Sequence, residues 1–211
     1  MRQINSYIDS TFCGEDPILE EVLMSIKENG MRSMSVSPST GKLLSMLVSI
    51  SGAKNILEIG ALGGYSGTCL ARGFGEEGKL TSLELVESYA EVAHRNLTKA
   101  GFGDKVSYMV GSALESLEQL VVDHKRFDFF FIDADKESYE NYLNYCIKLA
   151  DKGALIVCDN VLANGSVVNE NVQSKGYTEY MKKFNKTVAN HPQLESILVP
   201  IGDGLTVSKV K

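Results

Sequence analysis

At 211 residues, 44% of them hydrophobic, the chain is long enough to bury one sizeable core, and a single domain accounts for it without a second. A formal charge of -6 and a pI near 5.2 argue against a broad electrostatic footprint for nucleic acid or anionic membrane and favour a small-molecule partner. Cys13, Cys69, Cys146 and Cys158 lie far apart with no CxxC pair, and residues 1–9 lack the apolar core of a signal peptide. No apolar run reaches the length of a membrane span, so a soluble, cytosolic protein with reduced cysteines is expected.

From Gln3 to Asn29 apolar residues recur at helical spacing, and Asp16-Pro17 marks a helix start before Ile18, Leu19, Val22, Leu23 and Ile26. Residues 1–33 are therefore expected to form short accessory helices, with the core in residues 34–211. The serine-rich stretch from Ser33 to Gly41 reads as the approach to a helix from Lys42 to Ser51, whose Leu43, Leu44, Met46, Leu47 and Ile50 make an apolar face.

Strands and helices then alternate. Strands are expected at Asn55–Ile59, Lys79–Leu83, Val106–Val110, Phe127–Ile132 and Ala154–Cys158. Helices are expected at Tyr65–Gly73, Tyr89–Ala100, Ser112–Val122 and Tyr139–Leu149. A repeated βα pattern predicts a parallel sheet. The chain closes with a helix from Tyr177 to Asn190 and strands at Leu194–Val199 and Leu205–Val210, joined so tightly by Ile201-Gly202-Asp203-Gly204 that they must be antiparallel.

The segment Phe127-Asp128-Phe129-Phe130-Phe131-Ile132 reads as a central strand that delivers Asp133, Asp135 and Lys136 at its carboxyl end, where open α/β sheets bind ligands. Ala154-Leu155-Ile156-Val157-Cys158 delivers Asp159 and Asn160 in the same way. If the two strands are neighbours, roughly 5 Å apart, Asp133, Asp159 and Asn160 offer three hard oxygen donors to one cation, a set suited to magnesium or calcium. By itself Asp133-Ala134-Asp135-Lys136 also reads as a solvated strand end with an i,i+3 ion pair; the second acidic strand end tips the balance toward metal.

The first strand-to-helix junction, Glu58-Ile59-Gly60-Ala61-Leu62-Gly63-Gly64-Tyr65-Ser66, has glycines for a sharp turn and a close ligand approach. A pyrophosphate-binding G-x-G-x-x-G is absent because position 62 is Leu, and Glu58 sets an anion near the loop. The loop therefore suits a nucleoside with a positive end. Glu84, at the end of the second strand, is placed to accept hydrogen bonds from both hydroxyls of a ribose. His94, His124 and His191 have no ligand or nucleophile spacing, and Tyr139, Tyr142 and Tyr145, at helical spacing, read as packing.

Together, the Glu58–Ser66 loop, Ile132-Asp133-Ala134-Asp135-Lys136, the loop from Asp159 to Val167 and Pro200-Ile201-Gly202-Asp203-Gly204 resemble the cation-dependent O-methyltransferases, the group of catechol and caffeoyl-coenzyme A O-methyltransferases. The likeness runs from about Met34 to the C-terminus, in order and with matching spacing. It implies a Rossmann-like α/β fold with a seven-stranded, mostly parallel sheet, an antiparallel C-terminal strand and helices on both faces. It also implies S-adenosylmethionine as cofactor, with Mg²⁺ or another divalent cation such as Mn²⁺ or Ca²⁺, and a homodimer.

Carried over residue by residue, the resemblance assigns Val36, Glu58, Gly60, Ala61, Ser66, Glu84, Ala113 and Asp135 to the cofactor. Asp133, Asp159 and Asn160 fall to the metal, Asn164 to the substrate, and Lys136 to the general base, with Asp133 beside it in the catalytic set. The implied acceptor is a vicinal dihydroxy aromatic such as a catechol, caffeate or a flavonoid. Methylation of a hydroxylated RNA base, an NAD-linked oxidoreductase and a catalytically silent nucleoside-binding dimer are the alternatives. Plant members carry a longer N-terminal region and a Trp near Asn164, where this chain has Ala163 and no Trp at all; the acceptor pocket is accordingly expected to be wider or less aromatic.

Overall fold

A computed structural model describes residues 2–169 and 171–211. Three helices, α1 (Arg2–Phe12), α2 (Pro17–Glu28) and α3 (Pro38–Ser51), precede β1 (Asn55–Ile59), α4 (Tyr65–Gly73), β2 (Lys79–Glu84), α5 (Glu87–Lys99), β3 (Val106–Val110) and α6 (Ala113–Val122). β4 (Phe127–Ile132), α7 (Tyr139–Leu149), β5 (Ala150–Cys158), α8 (Thr178–Ala189), β6 (Leu194–Val199) and β7 (Leu205–Val210) follow. The strands form one seven-stranded sheet in the order β3-β2-β1-β4-β5-β7-β6. β7 pairs antiparallel with both β5 and β6, while β1 to β5 run parallel.

Strand alternation divides the core into two layers. Ile56, Phe129, Phe131 and Val157 face α2, α3, α4 and α5, whereas Leu57, Ile59, Phe130, Ile132 and Ile156 face α6, α7 and α8. Both faces of the central strands are covered, which explains why β4 reads as an unbroken apolar run. Chain order reverses between β1 and β4, and the carboxyl ends of β1, β2, β4 and β5 open onto the same edge, the place where such sheets bind ligands.

Most boundaries fall within two residues of the sequence expectation, and three elements depart further. α3 begins four residues before Lys42, because Ser37 caps it through Oγ to the Thr40 N–H at 3.2 Å and Pro38 stands in its first turn. β5 begins at Ala150, which pairs with Phe127 across an irregularity in the ladder. Within residues 1–33, α2 is part of the core: Val22 and Ile26 are buried, and a Cβ added at Gly63 of the first loop would lie 2.2 Å from Ile26 Cγ1. Among the described residues no helix is long and apolar enough to cross a membrane.

Candidate active site

The β1 loop is built around Glu58. Strand alternation places it on the face of Ile56, beneath α4, where it is 1% exposed and accepts hydrogen bonds from Ser66 Oγ and Ser82 Oγ, each at 2.6 Å. Burial, opposed by these two bonds, lifts its carboxyl from the ordinary 4.5 to about 7. Glu58 therefore supports the loop from below and does not line the cavity above it. Above Glu58 the chain turns through Gly60 (φ 99°) and through Leu62, which holds φ 47° although it carries a side chain. The Leu62 N–H donates to Glu84 Oε2 at 2.8 Å, and the Val86 N–H to Glu84 Oε1 at 3.0 Å, so the acid at the end of β2 fixes the loop of β1.

A cavity of about 1130 Å³ opens over this edge of the sheet. Val36, Gly60, Ala61, Ser66, Glu84 and Ala113 line one part of its wall, and Asp133, Asp135, Lys136, Asn160 and Asn164 contribute to the rest. Two of the residues singled out from sequence are absent from that wall: Glu58, beneath the loop, and Asp159, only 3% exposed behind it.

β4 and β5 end side by side, Ile132 paired with Cys158, so Asp133 and Asp159 leave the sheet as neighbours. Lys136 Nζ donates to Asp133 Oδ1 at 2.9 Å and to the Tyr139 hydroxyl at 2.7 Å. Thus the i,i+3 ion pair and the gathered carboxylates coexist. Burial, and then the charge of Asp133, raise the Asp159 carboxyl well above its usual range. Its Oδ1 accepts the Asn160 N–H at 2.6 Å. The loop that follows is wound through left-handed conformations at Asn160 (φ 61°), Ala163 (φ 47°) and Asn164 (φ 56°), a clustering of backbone strain typical of sites held for function. Among the described residues no three His, Cys, Asp or Glu side chains are grouped to hold a metal.

Several contributors went unnoticed in the sequence. Asp203, in the β6–β7 turn, lines the cavity and accepts the Asn164 N–H at 2.6 Å; burial raises its carboxyl. Tyr177 lines the same region, its phenol raised by burial. Tyr139 and Tyr142 do pack, at 0% and 4% exposure, but their hydroxyls also serve the site: Tyr142 donates to Asp135, and Tyr139 receives Lys136. Their spacing from Lys136 along the first turns of α7 was the available signal. Ser37 caps α3 and its hydroxyl meets that of Ser39 in the first turn, in keeping with a helix approach.

A mostly parallel sheet with its order reversed beneath a cleft of about 1130 Å³, acids ending β2, β4 and β5, and a glycine loop after β1 describe a methyltransferase of the Rossmann-like class. The sequence profile described as O-methyltransferase matches residues 9–211. The catechol O-methyltransferase of Niastella koreensis is 36% identical over 99% of this chain and 96% of its own length. Caffeoyl-CoA O-methyltransferase 1 of Eucalyptus globulus is 38% identical over 83% of this chain and 74% of its own. Among solved structures, the O-methyltransferase from Bacillus cereus in complex with SAH superposes with a TM-score of 0.89 at 35% identity, covering 99% of this chain and 97% of that one. The chain belongs to the O-methyltransferase family, a class of S-adenosylmethionine-dependent enzymes. That membership sets aside the NAD-linked alternative.

Proposed function

We propose that the enzyme transfers the methyl group of S-adenosylmethionine to one hydroxyl of a vicinal dihydroxy aromatic acceptor, with a divalent cation, Mg²⁺ by preference, held by Asp133, Asp159 and Asn160. The observation that carries this reading is the pairing of the β4 and β5 ends, which brings Asp159 in behind Asp133 and Lys136 on a wall of the cavity that Gly60 and Glu84 also line. The donor chemistry fits a hard cation: burial and the charge of Asp133 raise the cost of ionising Asp159, which a dication relieves, and the Asn160 amide adds an oxygen without charge. When bound, the metal supplies Lewis acidity, favouring the phenolate form of an acceptor hydroxyl whose ordinary pKa is about 10.

The chain's own groups do the rest. Glu84 offers carboxylate oxygens to a ribose, and Gly60 and Ala61 let the methionine portion approach the backbone. Val36, Ser66 and Asp135 bound that end of the cleft, with Ala113 at the adenine. Lys136 takes the proton at Nζ as the aryl oxygen attacks the methyl carbon in line and the sulfur leaves with the bonding pair. Asn164, held by Asp203, bounds the acceptor. The catechol and caffeoyl-CoA names of the relatives support a small aromatic acceptor. A cytosolic homodimer completes the proposal, and the four free cysteines suit a reducing setting.

The test is mass spectrometry of a catechol panel incubated with protein and S-adenosylmethionine, with Mg²⁺ and with excess EDTA. A methyl-sized gain that EDTA abolishes and Mg²⁺ restores is expected; product indifferent to EDTA removes the metal from the mechanism, and cofactor binding without product removes the catechol acceptor.

A further inference from the structure

We infer that Tyr139 is a positioning residue for methyl transfer: its hydroxyl is held as an acceptor that aims Lys136 Nζ into the cavity. The inference deepens the proposed function and rests on the proton-accepting role given there to Lys136.

Three contacts fix the direction of the Tyr139 hydroxyl. It approaches the Asp159 carbonyl oxygen at 3.0 Å and the Ile132 carbonyl oxygen at 3.3 Å, and both are pure acceptors. A phenol has one proton, and these carbonyls claim it. The Ile132 oxygen already receives the Asp159 N–H at 3.0 Å, so the nearer Asp159 oxygen is the principal partner. What the hydroxyl presents on its other side is a lone pair, and Lys136 Nζ stands there at 2.7 Å. The ring cannot swing away: Tyr139 is 0% exposed and meets the edge of Phe184 at 5.2 Å between centroids, at 77°.

The consequence lies at the lysine nitrogen. Nζ has three positions besides its bond to carbon. Asp133 Oδ1, at 2.9 Å, takes one, Tyr139 takes the second, and the third is left for the cavity that Lys136 lines. Asp133 and Tyr139 are both acceptors, so two positions of Nζ are fixed toward them and the third is turned to the cavity. A side chain lacking that second acceptor leaves Nζ held by Asp133 alone, free to turn about the Cε–Nζ bond and to swing out of line.

The test uses the full-length enzyme with Mg²⁺, S-adenosylmethionine and a catechol acceptor in single-turnover mode. Two replacements of Tyr139 are compared. Tyr139→Phe removes the hydroxyl altogether. 4-Aminophenylalanine in its place keeps a donor toward the Asp159 oxygen, but its nitrogen lone pair is delocalised into the ring and accepts poorly; this variant carries the test if the Phe variant fails to fold. Both are expected to lower the methyl-transfer rate about tenfold or more, with the acceptor KM and the cofactor Kd changed less than about twofold.

Each is then repeated in a Lys136→Met background, where a residue that acts only through Lys136 has nothing further to lose. A wild-type rate with 4-aminophenylalanine, or an undiminished loss in the Lys136→Met background, overturns the inference and makes Tyr139 a structural support for Asp159. A wild-type rate for Lys136→Met alone shows instead that the base assignment has failed, and the inference falls with it.

Discussion

Gly60 and Asp133 are in contact through their backbones: a Cβ added at Gly60 would lie 2.2 Å from the Asp133 carbonyl oxygen. The loop that ends β1 and the strand that delivers the acids are therefore a single rigid edge. Gly60 also sits at φ 99°, which L side chains rarely adopt. Gly60→Ala is expected to push the loop off β4, destabilising the fold by about 2–4 kcal/mol and weakening S-adenosylmethionine binding at least tenfold. Urea unfolding and calorimetry check this; native-like affinity in the variant would mean that the contact yields easily.

That edge was largely legible in the sequence, because apolar runs ended by Asp133 and Asp159 read as covered strands with acidic ends. The side to which each residue turns was harder to read. Glu58 reads as an anion facing a ligand, yet it belongs to the same face as Ile56, and its partners Ser66 and Ser82 are brought to it by α4 and β2. The hydroxyls of Tyr139 and Tyr142 were hidden for a related reason: helical spacing reports the buried face and says nothing of what the far end of a long side chain touches. Asp203 is a turn residue in sequence, and only the pairing of β7 with β5 carries it to the cavity.

Glu58 makes stability depend on pH with a definite sign. Its folded pKa, about 7, exceeds the ordinary 4.5, so between these values the folded state holds the proton more tightly than the unfolded one. The stability this contributes is full below 4.5 and is lost as pH rises through 7. Glu58→Gln does not titrate and keeps an acceptor for one serine and a donor for the other. Relative to the wild type, the variant is expected to gain up to about 3 kcal/mol between pH 4.5 and 8, read as diverging urea midpoints. Parallel midpoints across that range would refute it.

Replacing Asp159 separates the proposed metal binding from folding. In the proposed site Mg²⁺ stabilises the folded state by linkage, about 2.7 kcal/mol at one hundred times its Kd. Asp159→Asn removes a buried charge set against Asp133, so the metal-free variant should melt no lower than the metal-free wild type, while the rise with Mg²⁺ disappears. Thermal melts with Mg²⁺ and with EDTA decide it. A variant that still gains stability from Mg²⁺ places the ion elsewhere.

The N-terminal helix is coupled to the Asn164 end of the cleft through the β6–β7 turn. Asn5 Nδ2 donates to the Gly202 carbonyl oxygen at 2.6 Å, and Asp9 Oδ1 accepts the Ser39 N–H at 3.0 Å, in the first turn of α3. Asp203, which follows Gly202 in the β6–β7 turn, holds the Asn164 N–H. The buried Asn5 Oδ1 has no partner among the described residues, so Asn5→Ala removes one bond and relieves one unsatisfied atom, and little global stability should be lost. What changes is the anchoring of the turn. Together, Asn5→Ala and Asp9→Ala should raise the acceptor KM about three- to tenfold, the weight of one or two modest hydrogen bonds, while the S-adenosylmethionine Kd stays put, because Gly60, Glu84 and Ala113 lie at or just beyond the carboxyl ends of β1, β2 and β3, which the turn does not hold. Steady-state kinetics with each substrate varied in turn give the answer: a parallel loss for both substrates would mean that α1 supports the whole cleft, and no loss for either would mean that Asn164 keeps its place without it.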